Sequence, residues 1–597
     1  MSSFFSKLKP KPVDPVVPVQ VNPVVAENEK GMFGRQPSVT AHDTDSDDEI
    51  VDKDAQAGVQ KAEVMNQVWG KKTVFMIYGM IWCLYFLDAL ENSMTGVMTP
   101  YVTSEFQLHG LTAATGIMAS LIGGIFRLPL AKIIDIWGRP QGYALMVACM
   151  TIGMIMMAAC NNVQTYAAAE VFNQLGGNGR SYILGILVAD TSSLKSRGFF
   201  FALIASPYII TVWCAGPFAQ TFLNINWRWA FGSFAIITPV TSLPLFFVLI
   251  YHQRKAERLG LIPKRNSGRT LMQSIKYYTI EYDLAGLLLL CGGLALFLLP
   301  FNLYTRQSDG WRSSMIICMI VFGGLLLIAF GLYEAYVAPV TCVPWVLLKN
   351  RTILGANILA AVLFLEFYIW NSFFYSFLQV VANLTVTQSI YVTNIYSIGS
   401  CFWSFVAGII LYKTGGFKWQ SLLFGLPVTT LGVGLMIYFR QPGVDVGWMI
   451  LCQILIAFGG GTLVICEQVA GMAATTHQYV AIVLAVQGMS SQIGGAIGQT
   501  VASAIWQGNF QERLLRYLPE ETLANSTLVA EIYGDLTTQL SFEVGTPTRD
   551  GITQAYGEAQ RLMAAAATGV LALAWLAVFM WRNIDTRERK QIKGAVL

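Results

Sequence analysis

The sequence predicts an all-α polytopic membrane protein with fourteen transmembrane helices arranged as six, two and six. Two observations predict this fold class. The chain of 597 residues is 54% hydrophobic and only 12% charged, whereas a soluble domain carries roughly 25% charged residues. Apolar stretches of about 20 residues, the length that crosses a bilayer, recur one after another between Lys72 and Arg582. A chain with this composition cannot keep its surface in water.

The first 70 residues differ from the rest of the chain. Residues 10–25 are rich in Pro and Val, and residues 43–54 are strongly acidic. Such a composition cannot form a core, so we expect residues 1–70 to be a disordered cytoplasmic tail. The tail has no apolar segment of the signal-peptide type, and the first span is therefore expected to direct insertion.

The apolar stretches fall into three groups, which define the expected domains. Residues 71–250 form the first six-helix bundle, residues 281–340 two additional helices, and residues 341–581 the second six-helix bundle. The predicted spans are 73–100, 111–131, 143–162, 164–189, 199–221, 230–250, 284–303, 314–338, 354–379, 387–411, 420–439, 447–471, 479–505 and 563–581. A basic cytoplasmic loop at 251–280 separates the first two groups, and a cytoplasmic tail at 582–597 ends the chain.

The distribution of Lys and Arg predicts the orientation, because basic residues are retained on the cytoplasmic side. The basic loops all fall on one side if both termini are cytoplasmic. The segment 507–560, with eight acids against three arginines, then lies outside as an extracellular loop. Two glycosylation sequons, at Asn383 and Asn525, also fall outside. We expect a multi-pass glycoprotein of the plasma membrane, with a vesicular membrane as the alternative.

Two loops share a pattern at the same place in each six-helix bundle. The first reads Ala131-Lys-Ile-Ile-Asp-Ile-Trp-Gly-Arg-Pro140, and the second reads Gly408-Ile-Ile-Leu-Tyr-Lys-Thr-Gly-Gly-Phe-Lys418. Both have a small residue, a polar residue four positions later and a glycine three positions after that. The pattern indicates an internal repeat.

The first of these loops resembles the inter-span signature of the major facilitator superfamily, G-x-x-x-D-R-x-G-R-R. Asp135, Gly138 and Arg139 match it, whereas Ala131 and Pro140 depart from it. The resemblance implies the major facilitator fold and a cytoplasmic gate formed by the three matching residues. Trp227-Arg228-Trp229, just before the sixth span, fits the fourteen-span branch of that superfamily.

Within this branch, the chain beyond residue 70 resembles the fungal siderophore–iron transporters. The similarity rests on Tyr85-Phe-Leu-Asp88, on Asn173-Gln-Leu-Gly-Gly-Asn-Gly-Arg180 and on the long loop before the last span. The resemblance implies proton-coupled import of ferric hydroxamate siderophores, of the fusarinine type rather than the ferrichrome type. Iron then travels as a chelate, so we expect no cofactor and no protein-bound metal.

Ionisable residues inside predicted spans are candidates for function, because a charge in hydrocarbon costs at least about 2.5 to 3.5 kcal/mol. Asp88 and Glu91 lie three residues apart on one helix face and are expected to couple protons, as is Glu366 in the second bundle. Arg127 and Arg180 are predicted to lie at a common depth. The candidates for substrate contacts in the first bundle are Arg127, Glu170, Asn173 and Arg180.

Aromatic residues with polar neighbours suit a bulky chelate that is apolar outside. The candidates in the second bundle are Tyr368, Trp370, Asn371, Tyr391, Asn394 and Tyr396. Each of these rings is also compatible with simple packing. In the outer loop, Tyr517, Tyr533 and Tyr556 are candidates for substrate capture, and an ordinary folded lid is the alternative.

Three other functions are the alternatives to import, and the sequence argues against the first of them. An intramembrane enzyme needs catalytic groups at depth, but the four His residues lie in tails or near span ends, so we expect no enzyme and no catalytic residue. An exporter of drugs or siderophores has the same fold, although the exporter signature G-P-x-x-G-G is broken at Gly216-Pro-Phe-Ala-Gln220, which favours uptake. A nutrient sensor is the third. The expected partners are the ferric siderophore, protons and the lipid bilayer, with no nucleic acid; the sequence does not predict the oligomeric state.

Overall fold

The computed structural model describes most of the chain, and everything it describes is helical apart from turns and one isolated β-bridge. The described residues are 61, 64, 69–105, 119, 122–259, 270–304, 307, 309–341, 347 and 349–588. Most of the predicted tail at 1–70, the start of the second span, the middle of the basic loop and residues 589–597 lie outside the described residues.

The helices named here for the first half, all within the described residues, are seven in number. They are α1 (Lys71–Glu105), α2 (Arg127–Ile136), α3 (Arg139–Ala159), α4 (Val163–Thr191), α5 (Leu194–Ala205), α6 (Pro207–Ile225) and α7 (Arg228–Arg258). The middle region follows with α8 (Leu271–Glu281), α9 (Leu284–Leu298), α10 (Pro300–Leu303) and α11 (Ser314–Tyr336).

The second half contains the remaining helices. They are α12 (Arg351–Asn371), α13 (Phe374–Val380), α14 (Val386–Thr414), α15 (Phe417–Gln420), α16 (Leu426–Phe439), α17 (Val446–Ala473), α18 (Val480–Tyr517), α19 (Glu520–Leu523), α20 (Ser526–Gly534), α21 (Leu536–Ser541) and α22 (Pro547–Phe579). One π-helical turn, Ser421–Gly425, joins α15 to α16.

Eleven helices of the described residues are long and apolar enough to cross a membrane, or twelve if the bent pair 272–281 and 284–298 forms one span. This finding confirms a multi-pass helical protein. The predicted count of fourteen is not reached within the described residues. The two predicted spans outside these twelve are the second, whose first part is not described, and the fourth, which forms the 29-residue helix α4.

Two of the predicted continuous spans are broken. The predicted span 199–221 divides into α5 and α6 at Ser206, because Pro207 at the start of α6 has no amide hydrogen to continue the helix. The predicted span 354–379 divides into α12 and α13 at residues 372–373, where Phe373 has a φ of 58°.

The predicted outer loop at 507–560 is largely helical, and its place outside the membrane stays a prediction. Helix α18 continues to Tyr517 and α22 begins at Pro547. Their 38 and 33 residues correspond to roughly 57 and 50 Å, well beyond the roughly 30 Å of hydrocarbon. The two helices project out of the bilayer and carry residues 518–546 between them. We call residues 507–560 the outer cap.

Among the described residues, the two halves meet along several helix pairs, and the most extensive contacts are those of α5 with α14 and of α2 with α18. Glycines permit the close approach of both pairs. A Cβ atom on Gly408 of α14 would lie 2.9 Å from the backbone of Phe199 in α5, and a side chain on Gly488 of α18 would occupy the place of the Arg127 guanidinium. We call the end of the bundle near Asp135 the gate end, and the opposite end, near the cap, the outer end.

Candidate functional site

A buried ion pair lies in the middle of the first half. Arg180 of α4 pairs with Asp88 of α1, and both side chains are almost fully buried. Ser181 Oγ lies 3.4 Å from Asp88 Oδ2, and Arg180 Nη1 lies 3.5 Å from Ser242 Oγ. The structure therefore brings together two of the predicted site residues across α1 and α4.

Glu91 has a separate set of partners. Its Oε1 atom accepts hydrogen bonds from Asn173 Nδ2 at 2.9 Å and from Thr95 Oγ1 at 3.0 Å. A cavity large enough for about one water molecule adjoins Glu91 and is otherwise lined mainly by Met and Phe side chains of α1, α3 and α7. Asp88 and Glu91 thus share a helix without sharing these partners, and their role in proton coupling stays a prediction. Glu170 is buried one turn before Asn173.

Arg127 lies at the junction of the two halves. Its Nη2 atom donates to Asn178 Oδ1 of α4 at 3.0 Å, and its guanidinium packs against Gly488 of α18. Tyr85 lies within electrostatic range of both Arg127 and Arg180, which agrees with the predicted common depth. Unlike Arg180, Arg127 keeps part of its surface accessible and forms no carboxylate ion pair among the described residues.

The carboxylate of Glu366 is buried in the second half. One of its oxygens has no hydrogen-bond partner in the part of the chain that is described. Tyr396 of α14 lies within electrostatic range of both Glu366 and Glu467 of α17. The Tyr396 ring is 4.9 Å from the Phe367 ring and 5.8 Å from that of Trp370. The aromatic residues of α12 and α14 thus surround an isolated acid.

The remaining candidates of the second half differ in their accessibility. Trp370 is fully buried, so in this conformation it packs and does not line an open site. The Tyr368 ring packs against Gly495 of α18, and Asn394 Nδ2 bonds to Ile390 O of its own helix at 2.9 Å. Tyr391 is exposed, with its ring 5.0 Å from that of Trp213 in the first half. Asn371, the last residue of α12, is partly buried.

At the gate end, a chain of polar contacts crosses between the halves. Arg139 lies 3.4 Å from Asp135 and 3.1 Å from Asp190 at the end of α4. The other oxygen of Asp190 lies 3.5 Å from His477 Nε2, in the turn before α18. Gly138 has a φ of 120°, which permits the sharp turn between Asp135 and Arg139. The three predicted gate residues thus lie together.

Other contacts close the same end. Tyr182 OH of the first half donates to Ala481 O of α18 at 2.6 Å. Arg197, fully buried, donates to Ala189 O at 2.9 Å and lies 3.7 Å from the sulfur of Met472 in α17. These bonds join the halves at the gate end, so the conformation described is closed there.

The apolar side chains of the outer cap continue the core of the second half. Trp506 stacks on Phe373 at 4.2 Å and on Phe510 at 4.0 Å, and the Tyr556 ring is 5.0 Å from that of Trp506. Tyr556 is buried and its hydroxyl donates to Gln539 at 2.8 Å. The prediction that Tyr556 captures substrate therefore has no support in this conformation, because burial in the cap core leaves it no free surface.

Tyr517 and Tyr533 are partly accessible at the cap surface. Tyr517 OH bonds to Glu558 of α22, whereas the Tyr533 ring packs 6.1 Å from Phe510. Both sequon asparagines are exposed: Asn383 accepts a hydrogen bond from Arg549 at 3.3 Å, and Asn525 caps α20. The side-chain oxygens take part in these bonds.

The sequence analysis missed four residues that the structure makes prominent. His477 was set aside because it lies near a span end, yet this position places it at the gate. The buried Arg440 donates to Trp370 O at 2.5 Å and lies over the Phe374 ring, and Arg549 ties the cap to Gln379 O at 3.3 Å. Asp585 contacts the second repeat loop. Arg440, Arg549 and Asp585 gave no sequence signal, because their partners lie on distant helices.

The sequence profile of the Major Facilitator Superfamily matches residues 81–499. The chain is also 53% identical over 597 residues to MFS siderochrome iron transporter 1 of Ajellomyces capsulatus, with 100% of both chains covered. The chain belongs to the fungal siderophore iron transporter family of the major facilitator superfamily.

Further relatives of this transporter agree. It is 43% identical over 560 residues to siderophore iron transporter mirB of Emericella nidulans, covering 94% of this chain and 92% of that protein. Among solved structures, the POT family transporter PepTSo superposes with a TM-score of 0.50 at 13% identity, over 85% of this chain and 99% of that one. This likeness concerns the fold alone. Family membership confirms the predicted superfamily and the prediction that the protein is not an enzyme.

Proposed function

We propose that this transporter imports ferric hydroxamate siderophores by proton symport, with its two halves alternately opening a central site to each face of the membrane. The observation that carries the proposal is full-length similarity to a protein named as a siderochrome iron transporter. Buried ionisable residues at mid-span in both halves support the coupling to protons, because such residues are rare unless they act on ions or substrates.

Glu366 is the residue that we propose to carry the transported proton. It is buried among aromatic rings, and an isolated carboxylate there is stable only when it is neutral or paired. Asp88 and Glu91 are the further candidates. Asp88 is held by Arg180, so its protonation would release a buried arginine. One proton entering with about 100 mV supplies about 2.3 kcal/mol, which corresponds to roughly fiftyfold accumulation.

The chelate is proposed to lie between the halves, near Arg127 and the aromatic residues of α12 and α14. Arg127 and Asn178 offer donors to the hydroxamate oxygens, and Tyr368 and Tyr396 offer rings to the apolar exterior of the chelate. Fusarinine-type chelates are the proposed preference. Tyr517 and Tyr533 on the cap surface are the proposed capture residues.

The proposed topology has fourteen spans in the arrangement six, two and six, with both termini in the cytoplasm and the cap outside. The arrangement adds α4 and the partly described second span to the twelve candidate spans. The plasma membrane is the proposed location. Exposure of Asn383 and Asn525 is compatible with glycosylation on the outer face.

The test is uptake of radioactive iron, supplied on several siderophores, by iron-starved yeast that lacks its own carriers and expresses this chain. Saturable uptake of one chelate, stronger at external pH 5 than at pH 8, is the expected result. Loading the cells first and measuring efflux tests the exporter. Efflux without uptake, with the protein shown at the cell surface, would contradict import.

A further inference from the structure

The two repeat loops at the gate end differ in where their charges originate. In the first loop, Asp135 and Arg139 provide an acid and an arginine 3.4 Å apart. In the second loop, Tyr412 stands at the position of Asp135 and Gly416 at that of Arg139. Both loops turn at a glycine with positive φ, Gly138 at 120° and Gly415 at 71°. The second loop keeps the turn but lacks the ion pair.

The chain beyond α22 supplies that pair. Asp585 forms an antiparallel β-bridge with Gly416, and the amide of Thr586 donates to Gly415 O at 3.0 Å. Arg587 bonds to both carboxylate oxygens of Asp585, the shortest contact being 2.6 Å, and its Nη1 atom donates to Lys413 O at 3.3 Å. We call residues 585–587 the C-terminal clasp.

The fit between the clasp and the second loop is close. A Cβ atom on Gly415 would fall on the Asp585 carboxylate, so that carboxylate occupies the space beside the turn. The side chain of Thr586 is buried, although it lies only a few residues from the end of the described chain. Hydrogen bonds from Arg587 lower the pKa of Asp585, so the pair is charged at neutral pH.

Neighbouring residues fasten the clasp to the second half. Lys418 Nζ donates to Trp581 O at 2.5 Å, and the amide of Arg582 donates to Thr352 Oγ1 at 2.9 Å. The gate ends of α12, α14 and α22 are thereby joined at one place. Lys195 of the first half lies over the Tyr412 ring at 4.3 Å, so the loop held by the clasp also faces the opposite half.

We propose that the C-terminal clasp completes the second gate loop by supplying, from the chain terminus, the acid and arginine that the first loop carries itself. The clasp is a positioning element. It keeps the gate ends of α12, α14 and α22 in one rigid body, so that the second half moves as a unit when the gate opens. The role of the clasp in transport rests on the function proposed above. The contacts of the clasp are observed independently of that function.

Two truncations of the full chain separate the clasp from the rest of the terminus. Removing residues 583–597 deletes the clasp, and removing residues 589–597 leaves it intact and is the matched control. At equal surface levels, we expect the first truncation to lower the maximal rate of ferric chelate uptake at least fivefold with KM changed less than twofold. The control should match the wild type. Equal maximal rates for both truncations would overturn the proposal.

Charge-reversal variants of the full-length chain test the pair in case the truncated chain misfolds. Asp585→Arg should lower the maximal rate, and Asp585→Arg combined with Arg587→Asp should restore it, because the pair is re-formed in reverse. Failure of the double variant to recover, with the single variant impaired, would count against the pair.

Amide hydrogen exchange on the purified wild-type protein tests the clasp without any transport. Slow exchange of the Thr586 amide, faster in Asp585→Arg, supports the clasp. Exchange at the rate of an unstructured peptide would refute it. If the wild type takes up no chelate while the Thr586 amide is protected, the proposed function fails and the clasp stands.

Discussion

The two halves of the molecule treat their buried charges differently. In the first half, Asp88 is paired with Arg180, and Asp190 lies between Arg139 and His477. In the second half, Glu366 and Glu467 are buried with one oxygen each lacking a hydrogen-bond partner among the described residues. In the first half, Asp88 and Asp190 are paired with arginines and Glu91 accepts hydrogen bonds from Asn173 and Thr95. Glu366 and Glu467 of the second half have no cationic partner among the described residues and lie near the Tyr396 ring.

This difference separates two tasks. A buried charge that is paired holds its helices in register, and removing one partner leaves the other uncompensated. An isolated buried acid contributes little to stability but changes its charge with one proton. We therefore expect structural cohesion mainly from the pairs of the first half, and we propose Glu366 as the main site of proton coupling.

The largest effect is expected when the pair in the first half is broken. Asp88→Asn leaves Arg180 buried without its counter-ion, which should destabilise the protein by about 3 to 5 kcal/mol. Thermal unfolding of the purified protein measures this change. Asp88→Asn combined with Arg180→Gln should recover part of the loss, and Ser93→Ala on the same helix is the control. An unchanged unfolding temperature in Asp88→Asn would show that the pair does not hold the half together.

A second variant tests the isolated acid. Glu366→Gln removes the proposed proton carrier without leaving a partner unpaired, so we expect normal amounts of protein at the surface. Accumulation of chelate at pH 5 should fall at least tenfold and its dependence on pH should disappear. Exchange of chelate across the membrane should persist, because exchange requires no net proton movement. Glu366→Asp, which keeps a titratable group, is the control. Accumulation at the wild-type level in Glu366→Gln would indicate that the proton site lies in the first half.

A smaller effect is expected at the gate end, where the variant should shift the equilibrium towards the open gate. Asp190→Asn weakens the contacts from Arg139 and His477, and a loss of about 1 to 2 kcal/mol from charged hydrogen bonds corresponds to roughly five- to thirtyfold in the gate equilibrium. The gate end should open more often, so external chelate should bind less well and KM for uptake should rise. His477→Ala should act in the same direction and less strongly. Lys255→Ala, an exposed change at the same end, is the control. An unchanged KM in Asp190→Asn would show that the contacts of Asp190 do not keep the gate end closed.

The smallest effect is expected in the outer cap of the second half. Asp535 caps α21 by accepting bonds from the amides of Thr537 and Thr538 at 3.0 and 3.1 Å. Partial burial raises its pKa, but these hydrogen bonds outweigh it and the pKa of Asp535 is lowered. Because the pKa of Asp535 is lowered, its N-cap of α21 contributes stability above the unfolded pKa of about 3.9. That stability is lost as the pH falls through the pKa of the folded state.

The Asp535 N-cap should therefore be intact at pH 5, the pH at which we expect the strongest uptake. Asp535→Ala should cost about 0.5 to 2 kcal/mol of local stability, seen as faster amide exchange in α21 after correction for the intrinsic rate at each pH. The exposed change Glu531→Gln is the control. Loss of protection in the wild type already at pH 5 would contradict the sign of the pKa shift.

Sequence patterns identified the spans well and their ends poorly. The apolar runs that predicted spans 143–162 and 447–471 correspond to α3 and α17, because about 20 apolar residues have little alternative to a membrane helix. The same rule ended the thirteenth span at residue 505, whereas α18 continues to Tyr517. Polar residues extend that helix because the cap packs on it, and this packing leaves no apolar signal in the sequence.

The candidate site was predictable only as a set of residues. Mid-span charge identified Asp88, Arg180 and Glu366 from the cost of burying them. The sequence placed Asp88 beside Glu91, its helix neighbour, but the structure pairs it with Arg180 on α4 and bonds Glu91 to Asn173. Local spacing reports which residues share a helix face, and partners on other helices depend on how the helices pack.

The sequence by itself determined that this protein is a helical membrane protein of many spans, because composition and apolar length depend on the chain alone; its transport function was implied only by the resemblance of its motifs to a transporter family. It also determined the repeated gate loops, through the spacing of Asp135 and Gly138 and of Tyr412 and Gly415. Only the tertiary structure decided which charges are paired, that His477 belongs to the gate, and that the chain terminus lies on the second gate loop. These contacts join residues far apart in the chain, and they exist only once the helices have packed.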